Sequence, residues 1–323
     1  MSKPKVVVTR KWPKECEDVI VETFDAELNE HDRPLSVAEL QRALRSADAL
    51  FTTVTDSIGK EVLKVRSMQA RLLANFGAGY NNIDAEAAKD RGLIITNTPD
   101  VLTDCTADIT MALILMVSRR AAEGDRHVRN REWVGWRPTH MMGRKVTGKT
   151  LGILGFGRIG QAVAKRAHLG FGMKVLVYNR SKLNQDTLKA VGAKQMESID
   201  SVLKQSDYVS VHCPATPDTH HLINAKRLKL MKSDAYLINT ARGPIVDEHA
   251  LVEALYSHAL AGAGLDVYEH EPEVSEALLS LANVVLLPHL GSATRETRIA
   301  MGMKVIENAK AFFNGEKPPN RVA

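Results

Sequence analysis

Short apolar runs alternate along almost the whole chain with stretches whose apolar residues recur every three or four positions. In the first third, the runs Val6–Val8, Ala49–Thr53, Arg71–Asn75 and Leu93–Thr96 have the length of buried strands, and Lys14–Phe24, Val37–Ser46, Lys60–Val65 and Ala85–Asp90 have helical period. Ser36 and Asp84 stand just ahead of two of these helices, where a side-chain oxygen can satisfy an exposed backbone N–H. A long helix, Thr103 to about Arg120, is apolar on most sides and is expected to lie buried between domains. The segment 121–149 then loses both periods, and its tryptophans Trp133 and Trp136 mark either a protein contact or a poorly ordered excursion. From Thr150 the alternation resumes. Strands are predicted at Leu151–Leu154, Lys174–Tyr178, Tyr208–Val211, Ala235–Ile238, Gly262–Asp266 and Val284–Leu287, with helices near Asp186–Val191, Ile199–Gln205, Ala225–Leu230, His249–His258 and Thr294–Phe313.

Such alternation predicts an α/β protein with parallel sheets. A chain of 323 residues that is 44% hydrophobic can bury two cores. We expect one domain from residues 1–98 plus 291–323 and another from 99–290. Two crossings would leave a cleft between them for a substrate. Basic residues number 43 against 38 acidic with no basic block, which suits a small anionic ligand better than nucleic acid. Cys16, Cys105 and Cys213 lie far apart without metal-ligand spacing, as expected in a reducing compartment. The run Val6–Val8 is too short for a signal peptide, and Met111–Val117 falls short of the roughly 18 to 20 apolar residues that span a bilayer, so a cytoplasmic protein is expected.

The sharpest motif is Gly155-Phe156-Gly157-Arg158-Ile159-Gly160, between the predicted strand Leu151–Leu154 and a helical stretch with Ile159, Val163 and Ala167 on one face. In a dinucleotide-binding loop of this pattern the first glycine turns the chain, the second lets the backbone approach a pyrophosphate, and the third lets the helix press on the strand. The helix N-terminus adds N–H groups and partial positive charge. The next strand, which in NAD-binding units ends in a carboxylate for the ribose, ends here in Asn179-Arg180-Ser181-Lys182. A 2′-phosphate would be attracted by Arg180 and Lys182 and could accept hydrogen bonds from Asn179 and Ser181, which points to NADP(H) over NAD(H). Three polar residues, Arg242, Glu271 and His289, each follow an apolar strand, where they can face one site.

The motifs Gly77-Ala78-Gly79-Tyr80-Asn81-Asn82-Ile83-Asp84, Asn97-Thr98-Pro99-Asp100-Val101-Leu102-Thr103, Asn239-Thr240-Ala241-Arg242-Gly243, Ala263-Gly264-Leu265-Asp266-Val267, Glu271-Pro272 and Pro288-His289-Leu290-Gly291-Ser292-Ala293-Thr294 join the glycine loop in a combination spread from residue 75 to 297. Together they resemble the D-2-hydroxyacid dehydrogenases, and within them the glyoxylate and hydroxypyruvate reductases. The resemblance implies a flavodoxin-like substrate domain, a Rossmann domain, and an active site on Arg242, Glu271 and His289. Arg242 would grip the carboxylate and polarise the carbonyl of a 2-oxo acid. His289 would donate the proton as hydride arrives, with Glu271 favouring its charged form. The same resemblance implies that backbone N–H groups of Ala78 and Gly79 hold the substrate carboxylate. It places Thr106 on the cofactor phosphates and Asp266 on the nicotinamide amide, with Cys213, Pro214, Thr240, Ala241 and Gly291 also lining the cofactor. Segment 121–149 would embrace a second subunit in a homodimer, with Trp136 reaching the partner's active site. Other readings are a 2-hydroxyacid dehydrogenase for larger 2-oxo acids or phosphorylated serine precursors, and a nucleotide-sensing protein like the C-terminal binding protein corepressors. A formate dehydrogenase is disfavoured by Glu271, where Gln would be expected.

Overall fold

The computed structural model describes residues 2–323, and the chain divides into two compact units, residues 2–102 with 293–323, and 103–292. The first unit holds strands β1 (Lys5–Val8), β2 (Asp25–Glu27), β3 (Ala49–Thr53), β4 (Leu72–Phe76) and β5 (Ile94–Thr96). All pair in parallel in the order β2-β1-β3-β4-β5, the flavodoxin-like arrangement. Successive residues of a strand point to opposite faces, and β3 shows what that does. Leu50 joins a core with Leu40, Leu44, Leu73 and Ile95, whereas Ala49 and Phe51 join Val6, Ile20, Val305 and Ile306 on the other face. The expected caps are present: Ser36 and Glu39 form a reciprocal capping box ahead of helix Val37–Ser46, and Asp84 accepts the N–H of Ala87 ahead of helix Ala85–Asp90. β2 was not expected. Its sequence Asp25-Ala26-Glu27 is an edge strand with both acidic side chains in solvent, so no apolar alternation signals it.

The second unit carries β6 (Thr150–Leu154), β7 (Lys174–Tyr178), β8 (Ala193–Gln195), β9 (Tyr208–Val211), β10 (Tyr236–Asn239), β11 (Gly262–Leu265) and β12 (Val284–Leu286). They form one parallel sheet in the order β12-β11-β10-β9-β6-β7-β8. The order reverses between β6 and β9, the switch point at which open α/β sheets bind ligands beyond the strand ends. Helix Thr103–Ser118 packs on β10, β11 and β12 and on helix Arg158–Lys165, so its apolar faces are satisfied within its own unit. Leu113 and Ile114 are fully buried there, and a Cβ on Gly264 would come within 3.0 Å of Leu113 Cβ.

Segment 121–149 also departs from expectation. Residues Ala121–Arg129 form a helix with no buried residue. Ion pairs one turn apart, Arg120–Glu123 and Arg129–Asp125, support it in place of an apolar stripe, which is why hydrophobic period does not reveal it. The chain is pinned again where Arg144 N–H donates to Ser118 O at 2.7 Å and Val146 is buried. Between these points Trp133, Val134, Trp136 and Met142 stand exposed. Among the described residues the three cysteines are free thiols, and no helix is long and apolar enough to cross a membrane.

Candidate functional site

The second unit brings most of the singled-out residues to the carboxyl ends of neighbouring strands. Gly155 follows β6, Cys213 and Pro214 follow β9, Thr240 to Arg242 follow β10, Asp266 follows β11, and His289 follows β12. At the glycine loop each glycine has a distinct spatial reason. Gly155 has φ +95°, and a Cβ there would lie 2.6 Å from Cys213 N, so this turn is open to glycine alone. A Cβ on Gly160 would strike Gly155 O at 2.4 Å, so the absence of a side chain lets helix Arg158–Lys165 approach the strand. At Gly157 a Cβ would meet nothing within 4 Å, so the backbone faces open space at the N-cap of that helix. A dinucleotide pyrophosphate fits this cradle, since it needs a bare approach to backbone N–H groups at a helix start.

After β7, Asn179 is committed to the turn itself. Its Oδ1 accepts the N–H of Phe156 at 3.2 Å and its Nδ2 donates to Ser181 Oγ at 2.9 Å. The amide of Asn179 is thus engaged within the turn rather than left open to a ligand. Arg180, Ser181 and Lys182 are exposed, and Arg180 and Lys182 have no ion-pair partner among the described residues. Beside the loop, burial pushes the Cys213 thiol up to about 11 and the His212 imidazole down to about 3, so both are neutral near pH 7. His212 Nε2 shares a 2.8 Å hydrogen bond with Ser210 Oγ.

Glu271 and His289 meet directly, with Glu271 Oε2 at 2.8 Å from His289 Nδ1. Burial raises the Glu271 carboxyl, but the hydrogen bond and charge of His289, the Tyr268 N–H at 3.1 Å and the Arg242 charge outweigh it and leave the group below its ordinary range. A carboxylate can only accept, so Nδ1 of His289 carries the proton and Nε2 is left for proton exchange. Arg242 lies within the electrostatic reach of Glu271; burial pushes its guanidinium below the usual arginine value and Glu271 opposes the shift.

Each of these side chains is held by residues that the sequence pattern had not singled out for support. Asn239 donates from Nδ2 to Arg242 O at 2.9 Å and accepts the N–H of Ala241 at 3.0 Å, bracing the arginine turn. Gly243 is pressed on the loop that leads to Glu271: a Cβ there would lie 1.9 Å from the carbonyl carbon of Tyr268. His289 takes left-handed backbone, φ +56°, and its N–H donates to Asp266 O at 2.9 Å. The fully buried Asp266 carboxylate accepts the N–H groups of Leu290 at 2.6 Å and Gly291 at 2.8 Å, and burial raises its carboxyl against these two bonds. Thr106 donates to Gly291 O at 3.0 Å and does not bond back to its own helix turn. Asp266 and Thr106 thus anchor the histidine loop, a role not assigned to them from sequence. Buried Thr240 meets Thr110 through their hydroxyls at 2.9 Å.

In the first unit, Ala78 and Gly79 lie in the loop after β4. Thr98 N–H donates to Gly77 O at 3.0 Å, Asn97 Nδ2 to Ala78 O at 2.7 Å, and Asn75 Nδ2 to Gly79 O at 3.0 Å. In a trans peptide C=O and N–H point opposite ways, so fixing the carbonyls of Gly77 and Ala78 inward aims the N–H groups of Ala78 and Gly79 outward. Among the described residues neither N–H has an acceptor. Two successive outward N–H groups of this kind can donate to an anion. From sequence, Asn75 was legible only as the end of a strand and Asn97 only as a motif letter. Trp136 is 80% exposed, away from any core.

Residues 111–291 match the family model described as D-isomer specific 2-hydroxyacid dehydrogenase, NAD binding domain. The chain is 47% identical to the glyoxylate reductase of Thermococcus litoralis over 99% of its own length and 97% of that protein's. Among solved structures it is similar to a glyoxylate reductase from Paecilomyes thermophila, with TM-score 0.87, 31% identity, 100% of this chain and 99% of that one covered. It is likewise similar to the NADPH-dependent glyoxylate/hydroxypyruvate reductase of Sinorhizobium meliloti in complex with NADP and malonate, with TM-score 0.87, 33% identity, 100% of this chain and 97% of that one.

Proposed function

Because the chain belongs to the D-isomer specific 2-hydroxyacid dehydrogenase family, we propose that it reduces small 2-oxo acids, glyoxylate and hydroxypyruvate among them, to 2-hydroxy acids at the expense of NADPH. The observation that carries this reading is the His289–Glu271 pair, 2.8 Å apart, with Arg242 near enough to act on the same carboxylate. The reduced nicotinamide supplies the hydride. Arg242 holds the substrate carboxylate and draws electron density toward the carbonyl oxygen. His289 gives that oxygen its proton from Nε2, while Glu271 keeps the ring oriented and stabilises its charged form. The N–H groups of Ala78 and Gly79 bind the carboxylate through the backbone, where small residues let it approach the chain closely.

The choice of NADPH is supported by the turn after β7, which presents two exposed cations and a serine hydroxyl in place of a carboxylate. A ribose 2′-phosphate is drawn to that turn and an acidic residue would repel it. Gly155, Gly157, Arg158, Ile159 and Gly160 would cradle the pyrophosphate. Thr106, Cys213, Pro214, Thr240, Ala241, Asp266 and Gly291 would border the rest of the cofactor. The exposed Trp133, Val134, Trp136 and Met142 support docking of a second copy, with Trp136 reaching the neighbour's site. Free thiols support a cytoplasmic setting.

The test is NADPH oxidation, followed by absorbance, with a panel of glyoxylate, hydroxypyruvate, pyruvate and larger 2-oxo acids, repeated with NADH. Turnover of the short acids with higher kcat/KM for NADPH is expected. A clear preference for NADH would overturn the cofactor assignment. Tight nucleotide binding without turnover of any 2-oxo acid would replace the enzyme by a nucleotide sensor.

A further inference from the structure

We infer that His220, His221 and Glu269 form a binding site for a divalent transition-metal ion of the zinc, cobalt and nickel class. Adjacent residues of an extended chain throw their side chains to opposite sides. His221 instead has left-handed backbone, φ +47°, and the two imidazoles lie on the same side, with ring centroids 4.0 Å apart and planes 28° apart. His221 Nε2 is 2.6 Å from Glu269 Oε1, and one ligand atom from each of the three residues lies within 4.8 Å of the others. Bonds of about 2.0–2.2 Å in a tetrahedral site place ligand atoms about 3.3 Å apart. His220 is exposed, so a change of rotamer can carry its nitrogen inward, while the 2.6 Å His221–Glu269 contact widens to that spacing as the ion enters.

The donor set selects the ion. Two imidazole nitrogens and one carboxylate suit zinc and its neighbours, whereas calcium and magnesium take oxygen ligands. The groups that orient the ligands are also in place. Glu269 Oε2 accepts the N–H of Glu248 at 3.3 Å, which holds the carboxylate, and Asp247 Oδ2 stands 3.9 Å from His221 Nδ1, adding negative charge beside the ring's other nitrogen. On binding, the ion takes the place of the proton between His221 and Glu269, and that proton leaves to solvent.

The site borders the two loops that carry Arg242 and Glu271. His221 N–H donates to Pro244 O at 2.9 Å, two residues beyond Arg242, and Glu269 lies two residues before Glu271. The inference does not depend on the catalytic reading, because its test reads metal directly. The full-length protein, stripped with a chelator that is then removed, is titrated with Co2+ and followed by visible d–d absorption. One ion per chain, with the band bleached by Zn2+, is expected. His220→Ala keeps the His221–Glu269 contact, so it folds, and should weaken Co2+ binding at least tenfold; Glu269→Gln should do the same. His127→Ala, at a separate histidine pair whose rings are 5.2 Å apart, should leave binding unchanged. Absence of a saturable band, or an affinity in His220→Ala within twofold of the parent, overturns the site.

Discussion

Replacing Asn97 by Ala removes one hydrogen bond and leaves the backbone of the loop in place. The side-chain Nδ2 donates to Ala78 O at 2.7 Å, while the backbone N–H of Asn97 donates to Asn320 O and its carbonyl accepts from Asn308, and neither of these depends on the side chain. Thr98 N–H and Asn75 Nδ2 still hold Gly77 O and Gly79 O. Only the peptide plane between Ala78 and Gly79 is released, and with it the aim of the Gly79 N–H. A neutral hydrogen bond contributes a net ~0.5–1.5 kcal/mol. If that alignment is lost to the bound carboxylate, affinity falls about two- to tenfold, since 1.4 kcal/mol is a factor of ten. The carboxylate is held alike before and during hydride transfer, so KM rises and kcat changes little. Asn97→Asp should be worse than Asn97→Ala, because it sets an acceptor against the Ala78 carbonyl and a negative charge beside an anion site. The assay is initial rate against glyoxylate at saturating NADPH, with NADPH affinity measured separately by fluorescence titration. A KM within twofold of the parent in both variants, or Asn97→Asp no worse than Asn97→Ala, would refute the reasoning.

Removal of the imidazole in His289→Ala should cost on the order of 10²–10⁴ in kcat with NADPH binding retained, and unchanged turnover would take His289 out of the mechanism. Gly243→Ala drives a methyl group into the Tyr268 carbonyl, so we expect about 1–3 kcal/mol of lost stability in urea unfolding together with reduced kcat; a parent-like urea midpoint would show that the arginine and glutamate loops are not locked there. Glu271 is held below its unfolded value of about 4.3, so its ionisation stabilises the fold fully above that pH and stops doing so as pH falls through the lower folded value. The parent's stability advantage over Glu271→Gln should therefore shrink between pH 6 and pH 3, and an advantage that grows toward acid would contradict the pairing.

The elements whose burial is one-sided or complete were legible from the pattern alone. Strands Ala49–Thr53, Lys174–Tyr178 and Tyr208–Val211 and helices Val37–Ser46, Ala85–Asp90 and Ile199–Gln205 have the limits that apolar spacing predicts. The glycine loop was legible for a related reason, since each glycine answers a local steric demand that the strand-to-helix context implies. Elements without an apolar face were not legible. The edge strand Asp25–Glu27 and the charged helix Ala121–Arg129 are held by sheet pairing and ion pairs, which leave no hydrophobic period.

By itself the sequence determined which chemical groups exist and the strand ends on which they fall: an arginine, a glutamate and a histidine after three strands of an α/β chain, and a basic turn where a carboxylate would stand for NAD. Tertiary structure decided how those groups are held. That His289 donates to Glu271 from Nδ1, that Asp266 and Thr106 fasten the histidine loop, and that Asn97 holds the Ala78 carbonyl all depend on contacts between residues far apart in the chain. Local spacing reports burial, because burial follows the period of a single element. A hydrogen bond across loops follows from the register in which separate elements pack, and no single stretch of sequence carries that register.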